Sequence, residues 1–179
     1  MRISGGTLKG LIIPRTSKHV RPTMEKMRLS LFSILGNITN LHFLDLFSGS
    51  GIVGLEAYSR GAVATLVERD KTTAQRIQKS IHTHHISLRI YSMPVEVFLR
   101  KKQALFDIIY CDPPFAYRYK ADLLRKIACS SLITSKTLII LHHPKNEHLL
   151  LKGLLETKDI RHYGQSSLHF FTLPVEKVI

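Results

Sequence analysis

The residues Asp112-Pro113-Pro114-Phe115 close the apolar run Phe106–Tyr110 with an acid, two prolines and an aromatic ring. That set suits chemistry at an exocyclic base amine. The lone pair of such an amine is delocalised into the ring, which makes it a poor nucleophile. Acceptors for both of its hydrogens orient it and favour pyramidalisation. Asp112 offers a carboxylate oxygen and the Pro113 carbonyl offers a second acceptor. Consecutive prolines fix φ and restrict the residue before each, so both acceptors are held rigidly. Phe115 presents a flat face for a base, a contact worth ~1–3 kcal/mol by analogy with other base–aromatic pairs. Nitrogen, methyl and sulfur must then align for in-line displacement, and holding that geometry supplies much of the rate. Asp-Pro-Pro is also an ordinary strand-ending turn, so the surrounding motifs must decide. Asp107, at the start of the run, reads as structural.

A second constellation lies upstream. Asp45-Leu46-Phe47-Ser48-Gly49-Ser50-Gly51 follows an apolar run, Gly54 completes a GxGxxG spacing, and Glu68 stands 19 residues after Gly49. Glycines there let the backbone turn tightly and approach a ligand, and an acid at the second strand end holds two ribose hydroxyls. This spacing fits a nicotinamide dinucleotide or S-adenosylmethionine. Asp45 favours the latter, because a carboxylate four residues before the first glycine repels a pyrophosphate and suits the ammonium of a methionine moiety.

These loops need a scaffold. From residue 41 onward, the apolar runs His42–Phe47, Ala64–Val67, Leu88–Tyr91, Phe106–Tyr110 and Thr137–Leu141 alternate with amphipathic stretches such as Thr72–His84. The pattern predicts a parallel sheet covered on both faces. Leu154–Tyr163 and Ser167–Leu173 alternate like an antiparallel pair. The expected fold is α/β: a doubly wound, Rossmann-like, mostly parallel seven-stranded sheet ending in a hairpin. Ligands then sit beyond the carboxyl ends of the strands, where both loops fall. Residues 1–40 form a basic lead segment: a hairpin around Gly5-Gly6, then a helix capped by Thr23 with Met27, Leu31, Ile34 and Leu35 on its buried face. Residues 41–179 form the catalytic domain.

Composition narrows the partners. The 179 residues carry 26 Lys plus Arg against 13 Asp plus Glu, a net charge of +13, which favours a polyanion. Seven cations face Glu25 alone in the first 30 residues. Lys9, Arg21 and Arg28 there, with Arg118 and Lys120 after the Asp112 loop, are the candidate phosphate contacts, beside Thr23, whether the polyanion is a nucleic acid or an anionic membrane surface. No run approaches a membrane span, and Met1–Pro14 lacks the apolar stretch of a signal peptide. Two cysteines make neither a disulfide framework nor a zinc site, and the histidines lack acidic or cysteine partners, so no metal is expected. A reducing, cytoplasmic setting and a monomer follow as expectations. Cys111 reads as a small buried hydrophobe.

The combination resembles the bacterial family that methylates N2 of a guanine in 16S ribosomal RNA, through nearly the whole chain. Arg21-Pro22-Thr23, Arg28 and Leu31-Phe32 look like its N-terminal signature. Asp45 to Gly51 with Gly54-Leu55-Glu56-Ala57 and Ser59-Arg60-Gly61-Ala62 look like its cofactor loop and following helix, and Val67-Glu68 like its ribose-binding strand end. Asp112 to Phe115 look like its catalytic loop, and Tyr163-Gly164 with Ser166 to Phe170 like its closing hairpin. The resemblance implies S-adenosylmethionine as cofactor, with Asp45, Phe47, Ser48, Gly49, Gly51, Glu68 and Arg69 around it. It implies ribosomal RNA as partner, in a small subunit or an assembly intermediate. Met93-Pro94 stand where the family usually has Gly-Asp beside the adenine, which replaces a hydrogen bond with an apolar wall.

Three alternatives remain at this level. Asp112 and Pro113 orient an adenine N6 amine equally well, although a DNA enzyme needs a recognition domain for which 179 residues leave little room. A non-catalytic RNA-binding scaffold would not need Gly49, Gly51, Glu68 and Asp112 intact. A nicotinamide oxidoreductase is disfavoured by Asp45 and by the Asp112 loop.

Overall fold

The computed structural model describes residues 1–13, 22–101, 104–149, 151 and 153–174, with only the backbone for 22–24. Seven strands, β1 (His42–Leu46), β2 (Val63–Glu68), β3 (Arg89–Ser92), β4 (Ile108–Cys111), β5 (Leu138–Pro144), β6 (Glu156–Tyr163) and β7 (Ser166–Thr172), form one sheet in the order β3-β2-β1-β4-β5-β7-β6. The first five are parallel and β7 runs antiparallel to both β5 and β6. This is the expected doubly wound sheet with its closing hairpin. Strand order reverses between β1 and β4, the place where such sheets bind ligands. There Leu46 pairs with both Val67 and Cys111, so Phe47, Glu68 and Asp112 leave the sheet side by side.

Helices α1 (Pro22–Leu35), α2 (Ile52–Ser59), α3 (Lys71–Thr83), α4 (Val95–Phe98) and α5 (Lys120–Ala128) cover the two faces. Alternate residues of β4 divide the core. Ile109 and Cys111 pack with Phe98, Leu123 and Ile127 of α4 and α5, and Ile108 and Tyr110 with Met27, Leu31 and Phe32 of α1. A third cluster joins Leu55 of α2 and Ile77 of α3 to Ile3 and Ile13. Asp70 starts α3 by accepting a hydrogen bond from Thr73 N at 2.7 Å, which holds its carboxyl below the usual range.

The lead segment differs from expectation in detail. Arg2 and Ile12 make an antiparallel bridge, and Ile3 N donates to Leu11 O at 2.9 Å, so the turn around Gly5-Gly6 folds back. Its tip packs on the end of α2: Thr7 N donates to Ser59 O at 2.7 Å. Gly6 has φ 76°, and a Cβ there would fall 1.7 Å from Ser59 O. Helix α1 begins at Pro22, where the missing N–H costs nothing, which places Thr23 inside the first turn instead of at the cap. The buried stripe of α1 turns toward Arg28 and Phe32, leaving Ile34 at its edge, 41% exposed.

Candidate functional site

Asp45, on β1, is buried against the cavity at 1% exposure, and its Oδ2 accepts from Gly54 N at 2.9 Å. Burial pushes its carboxyl up to about 8, the Gly54 N–H pulling the other way and the charges of Asp112 and Glu68 adding to the rise. Past β1 the chain makes a sharp turn in which Phe47 (φ 63°), Gly49 (φ 54°) and Gly51 (φ 76°) all occupy the left-handed region. A non-glycine residue there costs of order 1–3 kcal/mol and marks functional loops. Gly54 serves another purpose. A Cβ at Gly54 would meet Leu66 Cδ1 at 2.5 Å, so its small size lets α2 pack against β2. Ser48 Oγ donates to Asp45 O at 2.8 Å and accepts from Val67 N at 3.0 Å, stapling the ends of β1 and β2. Glu68 braces the loop, Oε2 accepting from Gly49 N and Oε1 from Asp70 N, both at 2.8 Å.

Asp112 leaves β4 beside this loop, its N–H donating to Leu46 O at 3.2 Å. Its Oδ1 lies 2.6 Å from His142 Nδ1. Pro113 is buried while Phe115 is 44% exposed, so the turn shows an aromatic face outward. Tyr117 folds back with its N–H on Pro114 O at 2.7 Å and its ring edge-on to Phe47, centroids 5.4 Å apart. Its hydroxyl donates to Glu96 at 2.8 Å; burial and that carboxylate push it above the usual tyrosine range. No hydrogen bond among the described residues engages the Pro113 carbonyl.

One cavity of about 780 Å³ joins these parts. Asp45, Phe47, Ser48, Gly49, Glu68 and Arg69 form one side, and Asp112, Pro113, Pro114 and Phe115 another. Helix α1 (Met27, Arg28) and the β6–β7 turn (Tyr163 to Ser166) close it, the Tyr163 hydroxyl bonding to the Ser30 hydroxyl across the gap. Such a volume suits a nucleoside-sized ligand.

Several candidates sit elsewhere than expected. Gly51 shapes the turn but is not part of the cavity wall; a Cβ there would press on Leu66 and Ile77. Met93 and Pro94 also miss the wall. Met93 N donates to Glu68 O at 3.1 Å, Pro94 turns the chain into α4, and the first turn of that helix brings Val95 and Glu96 to the cavity instead. Arg28, taken as a phosphate contact, is only 6% exposed. It donates to Arg2 O at 2.9 Å and lies 3.6 Å from Glu56, so its charge serves the interior. Lys120, also taken as an RNA contact, is 1% exposed. Its ammonium donates to Tyr117 O at 2.7 Å and Phe115 O at 3.1 Å and pairs with Glu147 at 3.0 Å, which ties the Asp112 loop down. Lys9 and Arg118 are exposed, whereas Arg21 and the Thr23 side chain lie outside the described residues. Cys111 is buried and its thiol is pushed up by desolvation. Asp107 Oδ2 accepts from His42 N at 2.8 Å, a structural role.

The sequence reading missed His142. The apolar run Thr137–Leu141 stops one residue short of it, whereas β5 continues to Pro144. Pairing of His142 with Leu168 keeps it in the sheet, next to Asp112.

Comparison with known proteins agrees with this geometry. A family model described as "Conserved hypothetical protein 95" matches residues 1–172. The Ribosomal RNA small subunit methyltransferase D of Buchnera aphidicola subsp. Baizongia pistaciae is 33% identical over 178 residues, 92% of this chain and 90% of its own. The Escherichia coli K12 protein of the same name is 38% identical over 119 residues, 64% of this chain; the match spans only 60% of that relative. The solved structure of yhhF from Escherichia coli superposes with TM-score 0.86 and 27% identity, covering 98% of this chain and 99% of that one. With a match through the lead segment, both loops and the closing hairpin, the chain belongs to the Conserved hypothetical protein 95 family, that of the relatives named Ribosomal RNA small subunit methyltransferase D.

Proposed function

We propose that this protein transfers a methyl group from S-adenosylmethionine to the exocyclic N2 amine of a guanine in small-subunit ribosomal RNA. The observation that carries the reading is a shared cavity: the Asp112 carboxylate and the glycine loop with Glu68 line the same space, joined where Asp112 N meets Leu46 O. The names of the family relatives support the rRNA substrate. When bound, the cofactor supplies an electrophilic methyl group on a sulfonium centre. Glu68 would hold its ribose hydroxyls, Asp45 its ammonium, and Phe47 and Val95 would offer apolar walls. The residues fit such a cation, because the cofactor side offers the carboxyl groups of Asp45 and Glu68.

On the substrate side, Asp112 and the Pro113 carbonyl accept the two amine hydrogens and Phe115 takes the base face. The base must be unstacked or already splayed from the RNA to reach them. After transfer the nitrogen carries one hydrogen too many, and Asp112 accepts it. Exposed Arg118 flanks this loop, and residues 1–40, with Lys9 and Arg21, would follow the phosphates. A cytoplasmic monomer acting on a small subunit or its assembly intermediate completes the reading.

Calorimetric titration tests the cofactor side. S-adenosylhomocysteine should bind saturably and NAD should not; binding of NAD alone would end the reading. With its carboxyl near 8, Asp45 is mostly protonated at pH 7, and pairing with the ligand's ammonium ionises it. Binding should release most of a proton, read as an enthalpy that varies with the buffer. An enthalpy independent of buffer would remove Asp45 from the ammonium site. The same shift has a sign for stability. Burial favours the neutral acid, so the ligand-free protein should lose stability as pH rises from 3.8 to about 8.

A further inference from the structure

His142 is 3% exposed, and one ring of it touches both working parts of the Asp112 loop. Nδ1 lies 2.6 Å from Asp112 Oδ1, and the ring meets Phe115 edge-on, centroids 5.3 Å apart at 67°. An ionised carboxylate only accepts, so Nδ1 carries the hydrogen. Nε2 is buried with no hydrogen-bond partner among the described residues.

This contact decides what Asp112 can offer. Its side chain remains 26% exposed, and among the described residues nothing bonds to Oδ2. A carboxylate free to turn about its terminal torsion would offer either oxygen in many planes. With Oδ1 held by an N–H fixed in a strand, one oxygen and one plane remain. We propose that His142 is a positioning residue of the methyl-transfer site, its Nδ1–H holding Asp112 Oδ1 so that Oδ2 faces the base amine. The inference rests on the methyl-transfer reading above.

Asparagine and glutamine separate positioning from packing. His142→Asn carries its amide nitrogen about where Nδ1 sits, whereas His142→Gln carries it about where Nε2 sits. The Asn variant should keep kcat on rRNA within a few-fold of the parent. The Gln variant should lose roughly 10–100-fold in kcat, with the KM for S-adenosylmethionine and S-adenosylhomocysteine binding unchanged. Equal kcat in the two variants, or a loss seen only in cofactor affinity or melting temperature, would overturn the assignment. Should the Gln variant not fold, His142→Phe, which keeps a ring against Phe115 without a donor, carries the same expectation. The parent protein in the same assay keeps the two ideas apart: no transfer by the parent defeats the methyl-transfer reading, and an active parent with an equally active Gln variant defeats only the role of His142.

Discussion

Asp112→Ala should lower kcat for methyl transfer to rRNA by ~10²–10⁴-fold, in the range set by loss of a positioned acid–base group. Binding of S-adenosylhomocysteine should stay within a few-fold, because the link from Asp112 to the cofactor loop is a backbone bond, Asp112 N to Leu46 O, which alanine keeps. In the proposed reaction the substitution removes the carboxylate oxygen that would orient the amine and receive its proton, and the Pro113 carbonyl alone would not hold both hydrogens. It also strands the buried Nδ1–H of His142, at a cost of ~1–3 kcal/mol to stability. A single-turnover assay with a parallel melting curve separates the two effects. Normal turnover by the variant would show that the chemistry lies elsewhere.

The second large effect concerns stability. Glu56 is fully buried in α2 and gathers three partners: Ser4, with N at 2.8 Å and Oγ at 2.5 Å; Arg60 at 2.9 Å; and Arg28 at 3.6 Å. It is the bolt that fixes the lead segment and α1 to the sheet domain. Glu56→Ala leaves the Arg28 guanidinium enclosed without its counter-charge, and breaking one side of a buried pair costs roughly 3–5 kcal/mol. For a domain of this size the melting temperature should fall by roughly 6–20 °C. Arg28 and Met1 belong to the cavity wall, so the loosened segment should also weaken RNA-dependent turnover. A thermal shift of a degree or two in calorimetry would mean that Glu56 is not the anchor.

How far the sequence reveals this molecule depends on how local each signal is. The strands were legible because β1, β2 and β4 are buried on both faces and therefore read as unbroken apolar runs. The loop after β1 was legible because left-handed backbone calls for glycine, although Phe47 shares that conformation without any such mark. Arg28 and Lys120 misled because a cation reads as surface unless its partner is known. Those partners, Glu56 and Glu147, lie far along the chain and meet them only through tertiary packing. His142 escaped notice because the end of β5 is set by its antiparallel partner β7, not by its own composition. Met93 and Pro94 lie between β3 and α4, and the next two residues, Val95 and Glu96, reach the cavity.

The central claim is that one cavity holds the methyl donor and the base amine at Asp112. The most direct test incubates purified protein and labelled S-adenosylmethionine with small ribosomal subunits from cells that lack the enzyme, then maps the product by nuclease digestion and mass spectrometry. One methyl group per subunit is expected, on N2 of a guanine, absent with Asp112→Ala. Label on adenine N6, or no label in protein that binds S-adenosylhomocysteine, would contradict it.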